Sequence, residues 1–161
     1  MTKLAQKTKK TIGFDLDDTI IDHEPNRIKL SRKLNLPKHD QRLKKILYAE
    51  ISAKARPLKN ARLIVRKLSK DGYRLIIVSR RKRGGRQFGR QWLADHLPAI
   101  KKSNVFFVDK DKDKTIICRQ QQVEIFIDDS LEVLEHLDKK IKKIPFRKNW
   151  LAIYRQIKKV N

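Results

Sequence analysis

The chain of 161 residues carries 41 Lys and Arg against 18 Asp and Glu, a formal net charge of +23, with 39% hydrophobic and 37% charged residues. That length suits one domain with a buried core, and apolar residues gathered into short runs exclude a disordered chain. A single cysteine, Cys118, excludes an intrachain disulfide framework and a cysteine-rich zinc centre.

So basic a chain attracts polyanions and phosphorylated ligands and speeds their encounter, without specifying a fold. Nucleic acid, nucleotides and acidic membranes are partners of that kind; solvated lysines on helix faces are the plainer reading. No apolar run reaches the length of a signal-peptide core or a membrane span. A cytoplasmic protein without a membrane span is the expectation.

After a basic tail over residues 1–10, Ile12 and Phe14 mark a β-prone, apolar stretch that stops at Asp15, followed by Asp17, Asp18 and Thr19. Buried strands avoid carboxylates, because an ionised Asp in a low-dielectric setting is costly unless cations or donors offset it. Three Asp within four positions ask for a counter-charge, most simply a divalent metal, and hard oxygen ligands suit Mg²⁺. A turn after an edge strand is the competing reading, since Asp and Thr are common in turns and caps.

Residues 22–56 read as a small helical insertion. Ile28, Leu30 and Leu34 mark one short helix over 27–34; Leu43, Ile46, Leu47, Ala49 and Ile51 mark a second over 40–55, with Pro37 between them. A helix over 58–70 is stopped by Asp71-Gly72 and leads into Tyr73–Val78, a strand apolar on both faces that closes on Ser79. Gly84-Gly85 reads as a mobile loop before a helix over 87–97 with Phe88, Trp92 and Leu93 inward. The pattern continues with a strand over 105–108, a helix over 112–122 and a strand over 123–127 that ends on Asp128-Asp129. A helix over 131–137, a short strand over 141–146 and a terminal helix over 150–157 complete it.

Strands separated by helices imply a parallel sheet with helices on both faces: a Rossmann-like α/β three-layer sandwich with a small helical cap insertion. Ligands bind such sheets at the carboxyl ends of the strands, where Asp15, Ser79 and Asp128-Asp129 converge. Asp15 and Asp129 can hold Mg²⁺, and a carboxylate such as Asp15 can attack phosphorus to form an aspartyl phosphate. Asp17 can protonate the leaving oxygen and then activate water. Ser79 and a lysine near position 114 can stabilise the transferring phosphoryl group.

On the residues Asp15-Leu16-Asp17-Asp18-Thr19, Ser79 after Leu75–Val78, and Ile127-Asp128-Asp129, the chain resembles the haloacid dehalogenase-like superfamily, in the manner of its small nucleotidase-like members. The resemblance runs from about Thr11 to Ile157. It implies a Mg²⁺-dependent phosphatase with Asp15 as nucleophile, and Asp17 marks phosphoryl transfer rather than dehalogenation. Lys114 is the third-motif lysine by its place at the start of the helix before the fourth strand, with Lys112 as the alternative and Lys110 also nearby. The resemblance assigns metal contacts to Asp15, the Asp17 backbone carbonyl and Asp129, and Asp128 binds directly, through water, or only accepts hydrogen bonds.

Thr19 is expected to orient the Asp turn beside the substrate. The loop Arg80-Arg81-Lys82-Arg83, with Arg86 and Arg90 beyond, is expected to read phosphate oxygens through paired hydrogen bonds. His23, His39, His96 and His136 have no ligand-like spacing and read as structural or exposed. A phosphorylated substrate, with a nucleotide or nucleic-acid end phosphate preferred, is the expected partner. A basic nucleic-acid-binding or scaffold protein on a catalytically idle fold is the alternative.

Overall fold

A computed structural model describes residues 10–49 and 54–160. Of the basic tail only Lys10 falls within that range, and its Nζ donates to the Val160 carbonyl at 2.7 Å. The rest of the tail, and residues 50–53 of the second insertion helix, lie outside the described residues.

Five strands form one parallel sheet: β1 (Thr11–Phe14), β4 (Arg74–Arg80), β5 (Val105–Val108), β6 (Val123–Asp128) and β7 (Lys142–Pro145). Their order is β5-β4-β1-β6-β7, every neighbouring pair running parallel. β1 is central and buried along its whole length. Ile12 and Phe14 enter one core, while Gly13 faces the other so closely that an added Cβ would lie 2.5 Å from the Phe126 ring.

Helices α3 (Ala61–Lys70), α4 (Arg83–His96) and α7 (Trp150–Lys158) cover one face; α5 (Lys114–Gln120) and α6 (Leu131–His136) cover the other. α3 shows how the sequence sets this. Ala61, Ile64, Val65 and Leu68 recur at helical spacing and are all buried, and Asp71 and Gly72 stop the helix, Gly72 at φ 87°. Trp150 of α7 ties this face to the site: its ring packs on Phe14 and Phe146 at 5.6 and 5.4 Å, and its Nε1 donates to the Thr19 carbonyl at 3.1 Å.

The insertion differs from its sequence reading in detail. Helix α1 (Glu24–Leu34) is followed by α2 (Gln41–Leu47), which ends well before Ala55 among the described residues. Two short strands, β2 (Ile21–Asp22) and β3 (Arg56–Pro57), pair antiparallel and join the insertion to the sheet domain. Gly84-Gly85 is not a loop: it forms the first turn of α4, which starts at Arg83 rather than Gln87. Gly85 is required there because a Cβ would lie 2.8 Å from the Tyr48 carbonyl oxygen.

Strand order reverses about β1, with β4 on one side and β6 on the other, so a crevice opens at the carboxyl ends of these strands.

Candidate active site

Asp15 follows β1 directly, its N–H donating to the Ile127 carbonyl of β6 at 2.9 Å. The chain then turns sharply: Ile20 and Ile21 donate to the Leu16 carbonyl, and Asp18 takes a left-handed backbone at φ 62°. Asp15 and Asp17 flank Leu16, which packs into the core. Both are buried in side-chain terms yet line a cavity of about 330 Å³ with Ser79, Arg80, Lys114, Asp128 and Asp129.

Asp15 Oδ1 accepts from Ser79 Oγ at 2.9 Å and from Lys114 Nζ at 2.8 Å. Lys114 also donates to Asp128 Oδ2 at 2.8 Å and is almost wholly buried, so one ammonium bridges the ends of β1 and β6. Lys112 is exposed and makes no such contact. A short 3₁₀ turn at Asp111–Asp113 directs Lys114 inward as the first residue of α5.

One carboxylate oxygen from each of Asp15, Asp128 and Asp129 lies within 4.8 Å of the others. Burial, then repulsion from Asp15, pushes Asp128 up to about 7 despite its contact with Lys114. Asp129, on the open side, is pushed up to about 6 by burial and by Asp15 and Asp18. Asp15 is raised as well, by burial with a further push from Asp17, against the opposing pull of Lys114. Three crowded carboxylates with one shared ammonium fit a divalent cation on the grounds of charge and donor type.

Asp17 has a different setting. Its Oδ1 lies 2.7 Å from His23 Nε2 and receives a close hydrogen bond from Arg81 Nη2, while Oδ2 is buried without a hydrogen bond. Burial works to raise its pKa, but Arg81 and His23 more than offset this and hold the carboxyl below its ordinary value.

Several sequence expectations change here. Arg81 does not present a guanidinium to a substrate: it is 2% exposed and clamps Asp17. Thr19 is fully buried; its hydroxyl donates to Asp129 Oδ1 and accepts from the Asp129 N–H, both at 3.2 Å, so it joins the two Asp loops. Arg83 stands exposed on α4 and does not line this cavity, whereas Arg80 does line it while paired to Asp111 at 3.1 Å. The Asp17 side chain is engaged by His23 and Arg81, outside the three-carboxylate cluster.

The insertion supplies residues that sequence reasoning passed over. His23 is fully buried against Asp17; Arg27 Nη2 donates to Asp18 Oδ2 at 2.6 Å, and the Tyr48 hydroxyl donates to the same oxygen at 3.1 Å. Gln41, Lys44 and Tyr48 line the cavity from the insertion side. An acid-binding role for Arg27 or His23 carries no spacing signal, because these residues meet the Asp turn only through tertiary packing.

The parallel sheet and the carboxylate cluster at its carboxyl-terminal edge have the form expected of the haloacid dehalogenase-like superfamily. The family described as 5′ nucleotidase, deoxy (pyrimidine), cytosolic type C matches residues 21–149, a span that takes in Ser79, Lys114, Asp128 and Asp129 and begins after Asp15 and Asp17. The chain belongs to this family.

No curated protein matches the chain. Among solved structures it is similar to the class C acid phosphatase of Bacillus anthracis, with 18% identity and a TM-score of 0.62 over 98% of this chain and 80% of that one. A HAD-superfamily hydrolase from Ehrlichia chaffeensis aligns at 14% identity and a TM-score of 0.58 over 94% and 97%. A chain of the Pnkp1/Rnl/Hen1 RNA repair complex aligns at 15% identity and a TM-score of 0.58, with 90% of this chain covered. The present chain spans only 44% of that repair-complex chain. These likenesses show a shared fold. Among the described residues, no helix is long and apolar enough to cross a membrane.

Proposed function

We propose that the chain hydrolyses a phosphate monoester through an aspartyl phosphate on Asp15, with Mg²⁺ held by Asp15, Asp128 and Asp129 and by the Asp17 backbone carbonyl. The observation that carries this reading is the environment of Asp15: a buried carboxylate fixed by Ser79 and Lys114 inside a three-carboxylate cluster. Mg²⁺, when bound, supplies positive charge that lets the carboxylates and a phosphate dianion approach one another.

In the first step an Asp15 oxygen bonds to phosphorus as the ester P–O bond breaks, and Asp17 passes a proton to the leaving oxygen. Water then attacks phosphorus, the bond to Asp15 breaks, and Asp17 takes the water proton. Arg81 and His23 hold Asp17 ionised at rest, which suits the second step; the proton used in the first enters with the substrate as its phosphate monoanion. Ser79 and Lys114 stabilise the equatorial oxygens in both steps. The insertion over 22–56 acts as a small cap that contributes Gln41, Lys44 and Tyr48 and leaves room for a nucleotide or a nucleic-acid end within a single domain.

The test is phosphate release from p-nitrophenyl phosphate, nucleoside monophosphates, sugar phosphates and 3′- or 5′-phosphorylated oligonucleotides, with Mg²⁺ or EDTA. Turnover that requires Mg²⁺ and favours the nucleotide or oligonucleotide class is expected. No turnover, or turnover indifferent to EDTA, contradicts the reading.

Metal binding carries a pH signature. With Asp128 and Asp129 raised to about 7 and about 6, the folded metal-free chain binds protons more tightly than the unfolded chain. The contribution of these two groups to stability is therefore fully present below the ordinary aspartate value and is lost as pH rises through about 6 and 7, where the cluster ionises. Mg²⁺ binds the ionised cluster, so at roughly 100 times its dissociation constant it adds about 2.7 kcal/mol, or roughly 5–10 °C in Tm, at pH 8. Thermal scans at pH 5 should show little of this effect; an equal Mg²⁺ shift at both pH values contradicts the assignment.

A further inference from the structure

The catalytic cavity continues past the carboxylates. Asp18, Lys44 and Asp129 line it and also line a second, larger cavity of about 590 Å³. One wall of this second cavity is the insertion, from Asp22 through Lys44; the other is the turn after β7, with Phe146, Arg147 and Lys148.

Of the four acids on these walls, Asp18 and Glu24 are paired with bases, while Asp22 and Asp129 accept only uncharged donors. Asp18 accepts from Arg27 at 2.6 Å and from Tyr48 at 3.1 Å. Glu24 accepts from Arg27 at 3.0 Å and pairs with Lys38, and Asp22 accepts from the Glu24 N–H at 3.1 Å. The bases are not so matched: among the described residues, Lys44, Arg147 and Lys148 have no carboxylate within ion-pair distance. Lys148 is moreover held in the left-handed region at φ 55°, which non-glycine residues rarely adopt. Three cations without a paired carboxylate on the walls of one concavity, outnumbering the unpaired Asp22 and Asp129 there, favour an anion beside them.

We propose that this second cavity is a phosphate subsite, and that it binds the phosphate adjoining the one hydrolysed. The inference rests on the phosphatase reading above and narrows its substrate class to esters with a second phosphate, foremost the end of a single-stranded polynucleotide. Lys44 stands between the two cavities and links them; Arg147 and Lys148 hold the distal phosphate through charge-assisted hydrogen bonds. A nucleoside bisphosphate offers the same chemistry in a small molecule.

The test measures kcat/KM for one terminal phosphate ester presented on a nucleoside, a nucleoside 3′,5′-bisphosphate, a dinucleotide and a tetranucleotide. In parallel, fluorescence anisotropy follows binding of the same ligands to Asp15→Asn. A gain of about tenfold or more is expected when the second phosphate is added, the scale of one good charge-assisted contact. The double variant Arg147→Gln/Lys148→Gln should remove most of that gain, and Arg147→Lys/Lys148→Arg should retain it, which separates charge from folding. A further gain at the tetranucleotide identifies a strand end; a gain complete at the bisphosphate identifies a small molecule and overturns the polynucleotide assignment. Equal values for one and two phosphates, or a gain that survives in the double Gln variant, overturn the subsite. If no ester is hydrolysed, the phosphatase reading fails, and the binding arm alone decides the subsite by the same comparison.

Discussion

Replacing Asp15 with Asn should abolish phosphate release, by on the order of 10⁴-fold or more, while leaving the chain folded. The amide has no nucleophilic carboxylate oxygen, so the covalent step has no first atom. Folding should survive because the Asn carbonyl oxygen still accepts from Ser79 and Lys114 in the place of Asp15 Oδ1. The substitution also removes one charge from a crowded cluster in which Asp15 raises the pKa of both Asp128 and Asp129. Metal-free Asp15→Asn is therefore expected to melt no lower than the parent chain at pH 8. A variant that is inactive because it is unfolded, or one that retains turnover, runs against the assignment of Asp15.

Lys114→Ala is expected to damage both activity and stability. The ammonium is buried between Asp15 and Asp128, 2.8 Å from each, and 3.7 Å from Asp111. Burial alone would lower its pKa, but Asp15 and Asp128 hold it above the ordinary lysine value. Its removal leaves two buried carboxylates facing each other without a counter-charge, a situation that costs about 3–5 kcal/mol, or roughly 10–15 °C in Tm for a chain of this size. Activity should fall by about 10²–10³-fold, the usual cost of losing one electrostatic stabiliser of a transition state. The loss of stability should be larger at pH 8 than at pH 5, because unpaired buried carboxylates take up protons in acid. Adding Asp128→Asn to Lys114→Ala should recover much of the Tm and none of the activity. If the double variant is as unstable as the single one, the cost lies in packing and not in the charge bridge.

The residues that interrupt apolar strands were the legible ones. Asp15 and Asp128-Asp129 follow runs that only a sheet interior would carry, so their place at strand ends follows from pattern alone. The fold class was legible for the same reason: Leu75–Val78 and Ile125–Ile127 are buried on both faces, as parallel strands between helices must be. Arg81 was misread because the extended pairing continues one residue past β4. Ser79 and Arg81 are buried with the exposed Arg80 between them, and the Arg81 N–H still bonds to the Val108 carbonyl of β5 at 2.9 Å. A run of basic residues after a strand looks like a phosphate-reading loop in sequence, and the continued pairing that buries Arg81 decides otherwise.

Gly84-Gly85 was misread for a tertiary reason, the approach of the Tyr48 carbonyl to α4. His23, Arg27 and Tyr48 were invisible because the insertion docks on the Asp turn through contacts between residues up to 30 positions apart, such as Tyr48 on Asp18. Two-residue strands such as β2 and β3 are too short to carry any alternation.

The central claim is a covalent phosphoryl group on Asp15, and it can be seen directly. The protein would be mixed with a phosphate ester labelled with radioactive phosphorus, quenched in acid within the first turnover, and digested for peptide mapping. Label that is stable in acid, is released by hydroxylamine and maps to the peptide containing Asp15 is the expected result. Phosphate release without labelled protein, or label on any other residue, would contradict it.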